Sequence, residues 1–301
     1  MFFRKKFMAY IDLNMSNEEY HEHHALSKSK LMVFAKSPAH YYDKYEAADR
    51  DSLEDDIAGS EGKLEDQNKF LGKAIHVAVL EPELFEEKFL VVPKMDKRTT
   101  AGKTDFATFS KICADTGQVM ISEADADICV RIRRAVLDHP LLGEFVKKSP
   151  LKEAAFFWTD TETGLDMKAK IDLISLDNGI ILDAKSARST EVHKFEGAIN
   201  EFYYHFQPPI YNMGVEALLG RAMDGFIYAA IEKKRPCGIK LYSLDDISIS
   251  AGYNHVRELM LKFAECKATG VWPGYSPEIK QIGLPRYALA RYGMLPSQNL
   301  N

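Results

Sequence analysis

The stretch "GIILDAKSARS", residues 179–189, decides how this chain is read. It opens on apolar, β-branched residues, the composition of a buried strand, yet it ends with Asp183 and Lys185 only one residue apart. Side chains two apart on a strand point to the same face. The two charges are therefore either a solvated strand end or a pair that works together.

Two further short runs precede it, "EAAFFWTD" (153–160) and "GLDMKAKIDLISL" (164–176), separated by "TETG" and "DNG". These separators are hairpin signals, so the three runs predict an antiparallel meander. The hairpin "SLDNG" can fold Asp172 back beside Asp183. Two carboxylates with a lysine at adjacent strand ends would form a hard-oxygen pocket suited to Mg²⁺, or to Mn²⁺. Lys185 could orient or help deprotonate a water, or stabilise charge on a phosphate. Glu153, on the first run, has a face compatible with the pocket; an exposed strand residue is the alternative.

Downstream, "EVHKFEGAINEF" (191–202) reads as a helix, and "YYHFQPPIYNMGVEALLG" (203–220) as a second one beginning at Pro208 or Pro209. Gln207 and Tyr211 fall on one side of it, where they suit contacts to a DNA backbone or a metal-bound phosphate, or else serve as a capping amide and a core aromatic. A hairpin (224–245) and a long amphipathic helix (250–270) follow.

Upstream, residues 27–45 read as a helix capped by Ser27 and ended or kinked by Pro38. The acidic stretch 47–67 reads as a mobile loop or insertion tip. Residues 69–92 predict a helix stopping near Pro82 and then an extended run, 93–111 a basic loop running into a helix, and 121–148 a helix capped by Ser122. "HEHH" (21–24) reads as surface.

The apolar fraction of 46%, the charged fraction of 28% and the net charge of −5 are those of an ordinary globular protein. Such a charge argues mildly against coating nucleic acid but leaves a locally basic channel open. The N-terminal residues lack a signal-peptide core, and no apolar run approaches a membrane span, which predicts a cytoplasmic protein. "AGKT" (101–104) lacks the upstream glycine of a phosphate-binding loop, so no ATP is expected. The four cysteines form no C-x-x-C pair.

Together, Asp172 and Asp183-Ala184-Lys185 resemble the core motif of PD-(D/E)xK nucleases. "QPPIY", with Gln207 and Tyr211, resembles the Q-x-x-x-Y of the RecB-like branch, and "GKAIH" its G-x-x-x-H helix. The opening helix, "SKSKLMVFAKSPAHYY" (27–42), resembles that of RecE-type (exonuclease VIII) nucleases. The resemblance covers roughly residues 20–275. It implies an α/β (α+β) fold, with a restriction-endonuclease-like core, a central mixed sheet flanked by helices, and an N-terminal helical elaboration. Residues 1–301 are expected to form a single nuclease domain: a mainly helical part to 150 with the basic loop 93–111, a catalytic core over 151–275, and a tail over 276–301.

In that reading Lys185, Asp172, Asp183, Gln207 and Tyr211 are the catalytic set, and His76, Asp172, Asp183, the Ala184 carbonyl and Glu153 bind Mg²⁺. Lys28, Lys30, Lys97, Arg98 and Lys103 are candidates for a DNA track, and Ser186 and Arg188 for holding a phosphate. Ser37 stands where iron–sulfur members of the branch carry a cysteine, so no Fe–S cluster is expected. The implied activity is ATP-independent 5′ to 3′ digestion of one strand of a double-stranded DNA end, leaving a 3′ overhang and releasing 5′-mononucleotides. The implied setting is phage or prophage recombination, with a single-strand annealing protein of RecT type as partner and a homo-oligomeric ring, a tetramer before a trimer. The alternatives are an endonuclease or single-strand nuclease on the same core and a non-catalytic DNA-binding module.

Overall fold

The computed structural model describes residues 9–47 and 60–294. A short strand, β1 (Tyr10–Asp12), leads to α1 (Asn17–Glu22), which Ser16 and Glu19 start with a reciprocal capping box. Ser27 caps α2 (Lys28–Lys36) and Ser37 caps α3 (Pro38–Tyr45). Pro38 thus begins a helix rather than merely breaking one, because the first helical position needs no N–H.

Next comes α4 (Ser60–Leu80). The acidic stretch expected as a loop is divided: residues 48–59 lie outside the described residues, while 60–67 are the first turns of α4. Its sequence there, "SEGKLEDQ", is rich in good helix formers, which outweighs its charge.

After a 3₁₀ turn come α5 (Phe85–Lys88), β2 (Phe89–Val92), α6 (Thr100–Thr116), β3 (Val119–Ser122), α7 (Glu123–Asp138) and α8 (Leu142–Lys148). The expected basic loop is only 93–99; Lys103 and Lys111 ride on α6, which Thr99 caps. The helix predicted over 121–148 is two, broken between Asp138 and Leu142 and preceded by a strand. β2 and β3 pair in parallel as a separate two-stranded sheet.

The main sheet is built from β1, β4 (Leu151–Thr159), β5 (Asp166–Ser175), β6 (Ile180–Ala187), β7 (Gly225–Glu232) and β8 (Ile239–Tyr242), side by side in that order. The meander β4–β5–β6 is antiparallel as expected, and β6–β7 is the parallel pair. A parallel neighbour needs a crossover, and α9 (Val192–Glu201) and α10 (Gln207–Leu219) supply it. The chain then runs through α11 (Asp246–Thr269) to α12 (Arg286–Arg291). Among the described residues no helix is long and apolar enough to cross a membrane.

Helices cover both faces of this mixed sheet. On one, Phe34 of α2, Ile210 of α10 and Met260 of α11 pack with Phe156, Ile171, Ile181 and Tyr228. On the other, Ile75 of α4 and Ile132 of α7 pack with Leu173, Leu182 and Ala229. Ile171 and Ile174 share the first core although residues three apart on a regular strand face opposite ways. The alternation of β5 therefore slips at Asp172. Across from it, Glu153 has left-handed backbone, φ +46°, an uncommon conformation that costs a non-glycine residue roughly 1–2 kcal/mol.

Candidate active site

That irregularity lies where β4, β5 and β6 bring Glu153, Asp172 and Asp183 onto neighbouring strands. α4 crosses above them and lowers His76 into place. His76 Nδ1 is 3.5 Å from Glu153 Oε1 and 3.6 Å from Asp172 Oδ2, and Nε2 is 2.9 Å from the Ala184 carbonyl oxygen. One ligand atom from each of His76, Glu153 and Asp172 lies within 4.8 Å of the others. Asp172 Oδ2 also accepts from Ala184 N at 2.7 Å, so the β5 carboxylate braces the backbone between Asp183 and Lys185.

Asp183 points the other way. Because β6 turns Leu182 and Ala184 toward α4, its alternate residue faces α10, where Asp183 Oδ1 accepts from Gln207 Nε2 at 2.7 Å. Gln207 Nε2 also donates to Tyr211 Oη at 2.9 Å, and the other Asp183 oxygen pairs with the Lys185 ammonium. Asp172 and Asp183 thus bracket the β6 backbone rather than lying side by side, and the three grouped ligands are His76, Glu153 and Asp172. Gln207 and Tyr211, expected to touch DNA or phosphate, are buried behind Asp183 and hold it in place instead.

The donor set fits a divalent metal. Glu153 Oε1 is buried and faces only the His76 ring, at 3.5 Å, and hard oxygen ligands with an imidazole suit Mg²⁺ or Mn²⁺. Burial disfavours the His76 imidazolium, but Asp172 and Glu153 outweigh it and hold the group at about 9. Burial, and then the Asp183 charge, push Asp172 up to about 7. Glu153 is held down, burial being outweighed by His76 and then Lys170. For Lys185 burial is again outweighed, here by Asp183 and Asp172, and its ammonium is held above the ordinary lysine range.

These residues, on this sheet, match a known family. Its model, the PDDEXK-like domain of unknown function (DUF3799), matches residues 27–284. The chain belongs to this PDDEXK-like family. A crystal structure of a "putative exonuclease" from Eubacterium rectale is similar in fold: 14% identity, TM-score 0.53, covering 92% of this chain and 98% of that one. No curated protein matches.

A cleft of about 280 Å³ opens this PDDEXK-like site to solvent, lined by His76, Glu153, Ala184, Lys185 and Ser186. Tyr204, which the motif reading passed over, lines it too. Its ring centroid is 4.7 Å from Lys185 Nζ and 5.3 Å from Lys28 Nζ, so one aromatic face system serves two ammonium groups. Lys28 is pushed down to about 7 by burial and then by the Lys185 charge. Lys170 is a second omission: its ammonium is 3.5 Å from Glu153 Oε2 and 2.7 Å from Asn17 Oδ1. Its place beside Asp172 on the same face of β5 was the available signal. His21, assigned to the surface with its neighbours, lines the cleft with Asn17 and Lys73.

The proposed DNA track divides. Lys30 is buried, donating to the carbonyls of His23, His24 and Ala25 at 3.0, 3.0 and 3.2 Å, and so is removed from it. Lys97 lies 3.6 Å from the centroid of Phe106, and Arg98 pairs with Asp96. These two, with Lys103 and Arg188, are exposed.

Proposed function

We propose that this PDDEXK-like protein is a metal-dependent nuclease, and more specifically a 5′ to 3′ exonuclease on double-stranded DNA ends. The observation that carries it is the His76, Glu153 and Asp172 group within 4.8 Å, with Lys185, anchored by the buried Asp183, lining the same cleft as His76 and Glu153. His76, Glu153 and Asp172 would hold the ion, and Asp183 would hold Lys185. When bound, a divalent cation supplies Lewis acidity toward a phosphoryl oxygen and an attacking water.

The chain's own groups do the rest. Lys185, anchored by Asp183 and lying over Tyr204, presents positive charge where the phosphate gains negative charge. Gln207 and Tyr211 fix Asp183, and Lys170 fixes Glu153. Water adds to phosphorus, the bond to the 3′ oxygen breaks, and a 5′-phosphate and a 3′-hydroxyl result. Preference for a 5′ end, and work beside a RecT-type annealing protein in recombination, rest on the RecE-type opening helix.

Linear duplex labelled at either the 5′ or the 3′ end, incubated with Mg²⁺ and without ATP, tests this. Early release of 5′-labelled mononucleotide is expected. Release of the 3′ label first would reverse the polarity. Cutting of closed circular DNA would make the protein an endonuclease, and no cleavage of any DNA would overturn the nuclease reading.

A further inference from the structure

The turn between β7 and β8, "KKRPCG" (233–238), carries three consecutive cations, Lys233, Lys234 and Arg235, and the chain meets no acidic residue between Glu232 and Asp245. In a protein whose net charge is −5, that is a local concentration of the opposite sign.

The sheet brings this turn to the active centre. β6 and β7 are the parallel pair, with Ala187 beside Glu232, so the turn leaves the sheet at the same end as Arg188. Lys233 N donates to the Ala187 carbonyl at 3.4 Å, which ties the turn to the end of β6. Lys185 and Ser186, just before Ala187, line the active-site cleft. The active centre and the basic turn therefore follow one another along a single strand.

Hydrogen bonds and burial fix the turn. Cys237 N donates to the Lys234 carbonyl at 2.7 Å and Glu232 N to that of Gly238 at 2.9 Å, and Cys237 is buried in the core under α4. Cations held in place beforehand lose less freedom on meeting a ligand. The acids nearest in sequence are engaged elsewhere: Glu232 Oε1 accepts from Thr190 N at 2.9 Å, and Glu191 lies 3.2 Å from Lys194 and 3.6 Å from His193. Arg188, Lys234 and Arg235 are exposed. Burial, and then the Arg188 charge, push the Lys233 ammonium below the ordinary lysine range. Like charges set close together raise the energy of the free protein, and a bound anion lowers it.

We propose that Arg188, Lys233, Lys234 and Arg235 grip the phosphodiester backbone of the DNA about three nucleotides from the phosphate being cut. The spacing follows from the strand: Arg188 lies roughly 10 Å beyond Lys185, about three axial steps of a DNA strand. Such a contact fixes the register of the substrate without selecting its sequence. It rests on the nuclease reading for the position of the cut phosphate.

The test measures binding in EDTA, apart from cleavage, by fluorescence anisotropy of a short labelled duplex over a series of salt concentrations, with thermal melting as the control for folding. Lys234→Ala with Arg235→Ala should weaken binding and lower the slope of log affinity against log salt by about 0.9 for each cation that meets a phosphate. Lys234→Arg with Arg235→Lys should keep the slope. Lys262→Ala with Lys267→Ala, at two exposed lysines of α11, should keep it too although the net charge changes equally. A duplex carrying neutral methylphosphonates about three phosphates in from each 5′ end should bind the unaltered protein more weakly and the Lys234→Ala, Arg235→Ala chain no differently. A slope that the turn variant lowers no more than the α11 variant would overturn the proposal, and an equal loss by both proteins on the methylphosphonate duplex would overturn its register. Weakened binding by the turn variant of a protein that cuts no DNA with Mg²⁺ would support the contact and reject the nuclease reading alone.

Discussion

Two pairs of lysines, one buried and one half-buried beside a cleft, do different work in this protein. Lys168 and Lys30 lie under the end of α1. Lys168 donates to the carbonyls of Tyr20 and His23, the latter at 2.9 Å, and Lys30 to those of His23, His24 and Ala25. The pair satisfies a carbonyl in the last turn of α1 and three in the turn that follows it. Lys185 and Lys28 flank Tyr204, and Lys185 answers the carboxylate of Asp183 at an open cleft. Lys28 also donates to a backbone carbonyl, that of Phe202, so the contrast rests on Lys185, whose partner is a carboxylate. An ammonium spent on backbone carbonyls is scaffold, whereas one facing a carboxylate and a cleft is available to a substrate.

The largest effect that could break this contrast is loss of the cleft lysine. Lys185→Met should lower DNA cleavage by roughly 10²–10³-fold, the usual cost of losing one transition-state charge donor, with the circular dichroism spectrum retained. Cleavage within threefold of the unaltered protein would place Lys185 with the scaffold pair.

Lys168→Met should do the opposite. Its removal leaves the buried Tyr20 carbonyl short of a donor, while His23 keeps Lys30, at a cost of about 1–3 kcal/mol that urea unfolding should register. Cleavage per folded molecule should stay unchanged. Burial, and then the Lys30 charge, lower Lys168 from 10.5 to about 8. Between those values the unfolded chain binds more protons, so stability should climb as pH rises through that window and fall as pH drops toward 8. The Met variant should lack that slope.

Tyr204→Leu sharpens the contrast more gently. A cation–π contact contributes about 0.5–2 kcal/mol, so single-turnover cleavage should slow by roughly 2–30-fold, and Tyr204→Phe should restore most of it. If Phe were as slow as Leu, the hydroxyl rather than the ring would be the functional part.

Charge reversal at Lys97 or Arg98 is the smallest effect. Each phosphate contact removed should lower the slope of log affinity against log salt by about 0.9, read from binding of a catalytically dead variant to duplex. An unchanged slope would take that residue off the DNA track.

The meander was legible from the sequence because period-two apolar runs and the "DNG" turn are local signals, complete within about a dozen residues. The motif residues His76, Gln207 and Tyr211 were legible by resemblance. β1 and β3, three and four residues long, were not, since strands so short carry no period. Tertiary structure alone decided the partnerships. The left-handed backbone of Glu153 swings its carboxylate to a histidine on α4, and β6 turns Asp183 toward α10 while Asp172 braces its backbone. Lys28 and Lys30, two apart on one helix, point about 200° from each other, one to the site and one into the scaffold. Periodicity records which side of an element is apolar. Which polar group waits on the other side depends on contacts more than a hundred residues away, such as His76 with Ala184 at a separation of 108.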